Sequence, residues 1–174
     1  MGMTVQDEAA SDRVFDRLVA LLDRNGAAYE VIEHEPEGRT DVVSRLRGNA
    51  LSQAAKCVVA RVKVTKKTSH YVLAVVPGDR RVDLGRIREL WQAKHVSFVE
   101  QETAERLSGS VSGSIVPFSF DPAALELVVD PALLEHPRMF FNAGELHLSL
   151  SLDTGDYVKA ASPRVERIAE EAAA

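Results

Sequence analysis

The sequence predicts a single α+β domain, residues 1–174, built on a mixed β-sheet with surrounding helices. Short apolar runs of strand length come in adjacent groups, whereas regular strand–helix winding would separate each from the next. Helical periodicity is confined to brief segments between those groups. Neither an internal repeat nor a Pro/Gly/Ser-rich linker divides the chain. With 45% hydrophobic and 27% charged residues, it has the apolar content to bury a core of its own.

Taken in order, residues 10–24 (ASDRVFDRLVALLDR) place Val14, Leu18, Leu21 and Leu22 at helical spacing, with Gly26 as a stop. AYEVIEHE reads as a short strand. Thr40 is expected to cap a helix running to Leu46, ended by Gly48. KCVVARVKV and HYVLAVVPG flank the polar segment TKKTS, the pattern of an antiparallel hairpin. Asp83 then caps LGRIRELWQA, HVSFVE is a strand, and ETAERLSG is a helix stopped by Gly109. LELVVD, RMFFNA and ELHLSLSL follow as strands, and two short helices are expected to close the chain.

Several function classes lose support at once. The longest apolar runs are strand-length, too short to cross a bilayer. The opening MGMTVQDEAASDR is acidic and lacks the basic-then-apolar order of a signal peptide, so the expected location is the cytoplasm. A lone cysteine, Cys57, leaves no internal disulfide, and it reads as a small buried hydrophobe. The five histidines are scattered without ligand spacing, so no metal is expected. There is no phosphate-binding glycine loop and no G-x-S-x-G elbow, and no cofactor is expected either.

Charge is unevenly distributed. The chain totals −5, which argues against DNA coating, yet no acidic residue lies between Asp41 and Asp79. That interval holds Arg45, Arg47, Lys56, Arg61, Lys63, Lys66 and Lys67. It either forms a positive face for an anionic partner or is a solvated hairpin. Lys56 stands apart, because it opens an apolar strand behind the small residues of LSQAA. There a lysine either snorkels to solvent or projects its ammonium into a pocket, toward a phosphate or a developing oxyanion.

The stretch SGSVSGSIVPFSF, residues 108–120, joins a Ser/Gly loop to an apolar anchor. Together with LSQAAKCVVARV, YVLAVVPGDRRVDL, LVVDPALLE and FFNAGELHLSLSL it falls in an ordered set. That set resembles the YbaK/prolyl-tRNA synthetase-associated domain family over roughly Phe15 to Arg167. The most specific marks are Lys56 and the G-x-x-x-P loop, Gly113 to Pro117. The resemblance implies a mixed sheet or partly closed barrel, and a trans-editing hydrolase that removes the amino acid from mischarged aminoacyl-tRNA. No synthetase catalytic region accompanies it, so the free-standing kind is the closer likeness.

From the resemblance follow the residue roles. Lys56 contacts the terminal adenosine or its phosphate and orients the ester, and Gly113 brings backbone amides to the carbonyl oxygen. Ser112, Ser114, Pro117 and Phe118 complete that wall. Asn142, Ala143 and Gly144 line the pocket opposite, and Ile32 closes its apolar side. Arg45, Arg61, Lys63, Lys66 and Lys67 hold the tRNA. The synthetase insertions of this family carry a histidine just after the FFNAG-like segment. Here Ser149 takes that place, with His147 two residues earlier on the same strand face. The implied partner is the acceptor end of an aminoacyl-tRNA, with a synthetase as a further docking partner. Two other readings remain open: a non-catalytic module that binds the aminoacyl end or a synthetase, and a small-molecule ester or amide hydrolase.

Overall fold

A computed structural model describes residues 13–172. The acidic opening stretch, and the first residues of the expected 10–24 helix, lie outside the described residues. Helix α1 (Val14–Arg24) leads into β1 (Tyr29–Glu33) and α2 (Thr40–Arg47). A 3₁₀ turn, Leu51–Gln53, precedes the hairpin of β2 (Ala55–Lys63) and β3 (Ser69–Pro77). Then come α3 (Leu84–Leu90), β4 (His95–Phe98), α4 (Gln101–Ser108) and β5 (Glu126–Val129). The chain continues through α5 (Pro131–Leu134), β6 (Arg138–Asn142), β7 (Leu148–Asp153), α6 (Thr154–Ala161) and β8 (Arg164–Val165).

The helix ends follow local chemistry. Asp83 accepts a hydrogen bond from the Arg86 N–H (3.0 Å), as its position before α3 predicts. Gly48 and Gly109 end α2 and α4 in the left-handed region, at φ 76° and 73°. Thr40 differs from expectation. It is the first helical residue of α2, and Arg39 occupies the cap position without a side-chain bond.

The strands form two sheets. One is antiparallel, in the order β1-β7-β6; the other is mixed, in the order β4-β2-β3-β5-β8, with β5 parallel to both β3 and β8. A single bridge, Ala54 to Phe140, joins them and makes a partly closed barrel. Strand β3 is buried on both faces and explains the two cores. Leu73 and Val75 point into the cluster between the sheets, with Leu18, Phe118, Phe141 and Leu150. Val72, Ala74 and Val76 point the other way, onto Ile87, Val128 and Ile168.

The end of the chain departs from the two expected helices. After α6 the segment runs extended, because Arg164 and Val165 pair with β5. The buried Asp130 carboxylate then accepts from the Ile168 and Ala169 amides (2.9 and 2.8 Å), which fixes the backbone there in a non-helical path. One consequence of the barrel closure matters for function. Because Ala54 bridges Phe140, the start of β2 with Lys56 lies beside the end of β6 with Asn142.

Candidate active site

A small cleft of about 60 Å³ opens where these ends meet. The loop after β1 contributes Gly38, and α2 contributes Thr40, Val43 and Arg47. β2 contributes Ala55, Lys56 and Cys57, and the far walls are Gly113, Ile115, Phe141 and Asn142. Among the described residues, two cations line it and no carboxylate does.

Lys56 is half-buried, and its ammonium has no hydrogen bond or ion pair among the described residues. Burial, then the charge of Arg81, pushes its pKa below the ordinary lysine value; Asp79 and Glu170 pull weakly the other way. Arg47 is held more elaborately. Its Nε donates to Asn49 Oδ1 (2.9 Å), Nη2 to Ser44 Oγ (3.3 Å), and Nη1 to Ser149 Oγ (3.2 Å) and Asn142 Oδ1 (3.5 Å). All four acceptors are neutral. Desolvation without a compensating charge lowers the guanidinium to about 10. A buried cation in that state is costly, and it is primed for an anion or a strong acceptor.

Asn142 is the tie that closes the cleft. Its Nδ2 donates to the carbonyls of Glu37 and Gly113, both at 2.8 Å, and so fastens the loop after β1 to the loop after α4. Behind it, Ser149 Oγ lies 2.9 Å from Asn142 Oδ1 and 2.6 Å from His34 Nε2. His34 Nδ1 faces the Glu35 carbonyl at 2.8 Å and must carry a hydrogen there. In the neutral ring Nε2 is therefore an acceptor, and the one Ser149 hydrogen is divided between it and Asn142 Oδ1. His147 is in the turn before β7 and exposed, so it does not share the Ser149 strand face as the sequence suggested. The histidine beside Ser149 comes instead from the end of β1.

Gly113 lines the cleft at φ +88°, but its missing side chain serves a different neighbour from the one expected. A Cβ there would stand 2.6 Å from Gly38 Cα and 2.8 Å from the Gly38 carbonyl oxygen. The two glycines pack backbone to backbone, and that contact sets the width of the cleft. The amides of Gly113 and Ile115 have no acceptor among the described residues, which leaves two donors at the cleft wall.

Other expected wall residues lie behind the cleft. Ser114 is fully buried, with Oγ donating to the Val111 carbonyl (2.8 Å), a loop tie that removes it as a nucleophile. Pro117 receives the Tyr157 hydroxyl on its carbonyl (2.8 Å). Phe118 packs edge-on against Tyr157 (5.2 Å) and beside Phe141 (6.1 Å). Both anchor the loop from the core and do not line the cleft. Ala143 is in that core too, and Gly144 donates its amide to the Ser114 carbonyl (2.9 Å). Ser112 is exposed, its amide on Glu105 Oε2 (2.8 Å), and lines an adjoining groove. Ile32 sits opposite Ser149 in the β1–β7 pairing, outside the cleft. Burial pushes the Cys57 thiol up, away from nucleophilic thiolate.

The basic set divides. Arg45 is exposed on α2, 3.6 Å from Asp41. Arg61, Lys63, Lys66 and Lys67 run away from the cleft to the tip of the β2–β3 hairpin. Sequence reasoning counted Arg47 in the basic interval but gave it no place in the site, although a signal existed: it follows the buried Val43 by four residues and so shares the inward face of α2. Gly38 and Thr40 carried no comparable signal. Among the described residues no cluster of three or more His, Cys, Asp or Glu could hold a metal, and no helix is long and apolar enough to cross a membrane.

A cationic, carboxylate-free cleft between two glycine loops is an arrangement suited to an anionic ligand. The chain belongs to the aminoacyl-tRNA editing domain family, whose model matches residues 34–160. It is 40% identical over 150 residues to the multifunctional Ser/Thr-tRNA deacylase ProXp-y of Escherichia coli K12, covering 86% of this chain and 89% of that protein. The protein of that name from Escherichia coli O157:H7 matches equally. Among solved structures, a hypothetical protein superposes with a TM-score of 0.78 at 21% identity, over 88% of this chain and 99% of the other. A candidate trans-editing enzyme for prolyl-tRNA synthetase gives 0.73 at 21%, over 91% and 98%. At that identity the two structures speak for the fold alone.

Proposed function

We propose that this chain hydrolyses the ester of mischarged aminoacyl-tRNA, with seryl and threonyl esters as the preferred class. The observation that carries this reading is that Lys56 and Arg47 line one cleft that has no carboxylate among the described residues, beside two amides without an acceptor there. The amino-acid preference is drawn from the 40%-identical relative and suits a small cleft whose end is polar.

An aminoacyl ester is already activated, so the site has to orient it and stabilise the carbonyl oxygen as it becomes anionic. The Gly113 and Ile115 amides are the donors for that oxyanion. Lys56 holds the acceptor-end phosphate or ribose, which fixes the ester against the Gly113 wall. Arg47, kept in place by Asn142 and Ser149, offers a charge-assisted hydrogen bond to the side-chain hydroxyl of the amino acid. Water adds to the carbonyl carbon; the bond to the ribose oxygen breaks, and that oxygen takes up a proton as the free tRNA leaves. Neither a carboxylate nor a histidine lines the cleft, so the proton from water passes to the substrate's own amine or neighbouring ribose hydroxyl. The place of action is the cytoplasm, where charged tRNA is used, with a synthetase as a docking partner.

A panel of tRNAs charged with Ser, Thr, Ala, Cys and Pro tests the reading directly. Release of serine and threonine faster than of the others is expected, and it should disappear in Lys56→Ala. Equal hydrolysis of simple amino-acid esters, indifferent to tRNA, would overturn it in favour of a small-molecule esterase.

A further inference from the structure

A second cavity of about 300 Å³ adjoins the cleft and shares Cys57, Gly113 and Ile115 with it as a common wall. Its other sides are mainly apolar, with Val59, Phe98, Val99 and Ala104. Phe98 is 52% exposed, a large ring left in solvent at the groove's edge. The backbone there is also incomplete. Ala54 and Val64 bond toward the β3 side, to Gly78 and Thr68, whereas Val59 and Lys63 bond toward the β4 side, to Val99 and Lys94. Groups alternate along a strand, so the N–H and C=O of Cys57 turn to the β4 side as well. The β4 pairing begins only at Ala60, with Val99 reaching Val59, so nothing among the described residues meets Cys57 there.

We infer that this groove is the subsite for the purine base of the terminal nucleotide, stacked on Phe98 with its Watson–Crick edge on the backbone of Cys57. An adenine presents a donor (the amino group) beside an acceptor (N1), and the free C=O and N–H of one extended residue match that pair. An aromatic face supplies the stacking that single-stranded nucleic acid needs. The shared wall sets the geometry. A nucleotide whose base lies in the groove has its ribose at Gly113 and its ester in the cleft. The groove's volume stands at the lower edge of the ~300–1,000 Å³ usual for small-ligand sites, enough for one base. The inference rests on the deacylase reading for its ligand, but it can fail independently.

Phe98→Ala, Phe98→Tyr and the wild type are compared on seryl-tRNA and on serine ethyl ester, which has no base. Phe98→Ala should raise KM for seryl-tRNA about tenfold with kcat nearly unchanged, as loss of one stacked base requires. Phe98→Tyr should restore KM, and any ester turnover should be equal in all three. Calorimetry should show adenosine 5′-monophosphate binding more tightly than ribose 5-phosphate, which has no base to stack, and Phe98→Ala should abolish the difference. An unchanged KM in Phe98→Ala, or adenosine monophosphate binding that survives it, overturns the subsite. If the wild type deacylates no charged tRNA, the activity falls, and the calorimetry still decides the groove.

Discussion

At the start of β2, Lys56 lines one cleft with Arg47, both partly drawn out of water and neither ion-paired to a carboxylate among the described residues. About 23 Å further along the strand, at ~3.3 Å per residue, Lys63 leads into a turn where Lys66 and Lys67 stand exposed. In the sequence these residues belong to one acid-free interval and look alike. Folded, they differ in the work their charge can do. A cation in bulk water gains little from meeting an anion, since solvent already stabilises it and salt screens it. A cation held out of water bears an unrecovered desolvation cost, which an incoming oxyanion, phosphate or hydroxyl relieves. In the proposed reading, the cleft end is the site for chemistry and the hairpin end is at most a guide for a long polyanion.

The sharpest break of this comparison is Lys56→Ala. Deacylation should fall about a hundredfold or more in kcat/KM, the scale of losing one oriented electrostatic group, while thermal unfolding moves little. Wild-type rates would place Lys56 with the hairpin lysines. Arg47→Met should follow, losing roughly ten- to hundredfold on seryl- or threonyl-tRNA with the charge-assisted hydrogen bond, ~1.5–3 kcal/mol. Its stability should hold or rise, because a buried charge without a counter-charge is removed. The pKa shift gives a sign to check: Arg47 in the fold titrates at about 10, below the usual arginine range. As pH rises past about 10, the folded chain releases a proton that the unfolded chain keeps, so wild-type stability gains on Arg47→Met in that window. Equilibrium denaturation at pH 8 and pH 11 measures it, and no gain would mean that the guanidinium is solvated.

Gly113→Ala tests the wall between the loops. A glycine that only admits substrate would lose activity at little cost in stability. Here the left-handed φ and the 2.6 Å approach to Gly38 predict a loss of about 1–3 kcal/mol as well. Denaturant midpoint and rate should fall together, and an unchanged midpoint would show that the loops are not packed on each other. The smallest effect belongs to the hairpin end. Replacing Lys66 and Lys67 by Ala should raise KM by at most a few-fold, with kcat unchanged and a shallower dependence on salt. A large, salt-insensitive fall in kcat would erase the difference between the two ends.

Much of the fold was legible because it is local. The hairpin around TKKTS, the Asp83 cap and the Gly48 and Gly109 stops depend on residues a few positions apart, and backbone sterics and hydrogen bonds decide them. Lys56 and the Gly113 loop are unusual within their own segments, but those segments alone left the lysine open between solvent and a pocket. The family resemblance singled both out, and the fold brings both to one cleft. The C-terminal strand was not legible. Helical composition after Ala161 loses to Asp130, a partner more than thirty residues away that captures the Ile168 and Ala169 amides. Nor could the neighbours of the cleft be read in advance. That Gly113 faces Gly38, that Asn142 ties both loops, and that Arg47 rather than Arg45 turns inward all depend on the Ala54–Phe140 closure of the barrel. Periodicity tells which face of an element is buried, but which distant face meets it, and which charge is thereby cut off from water, is settled only when the sheets close.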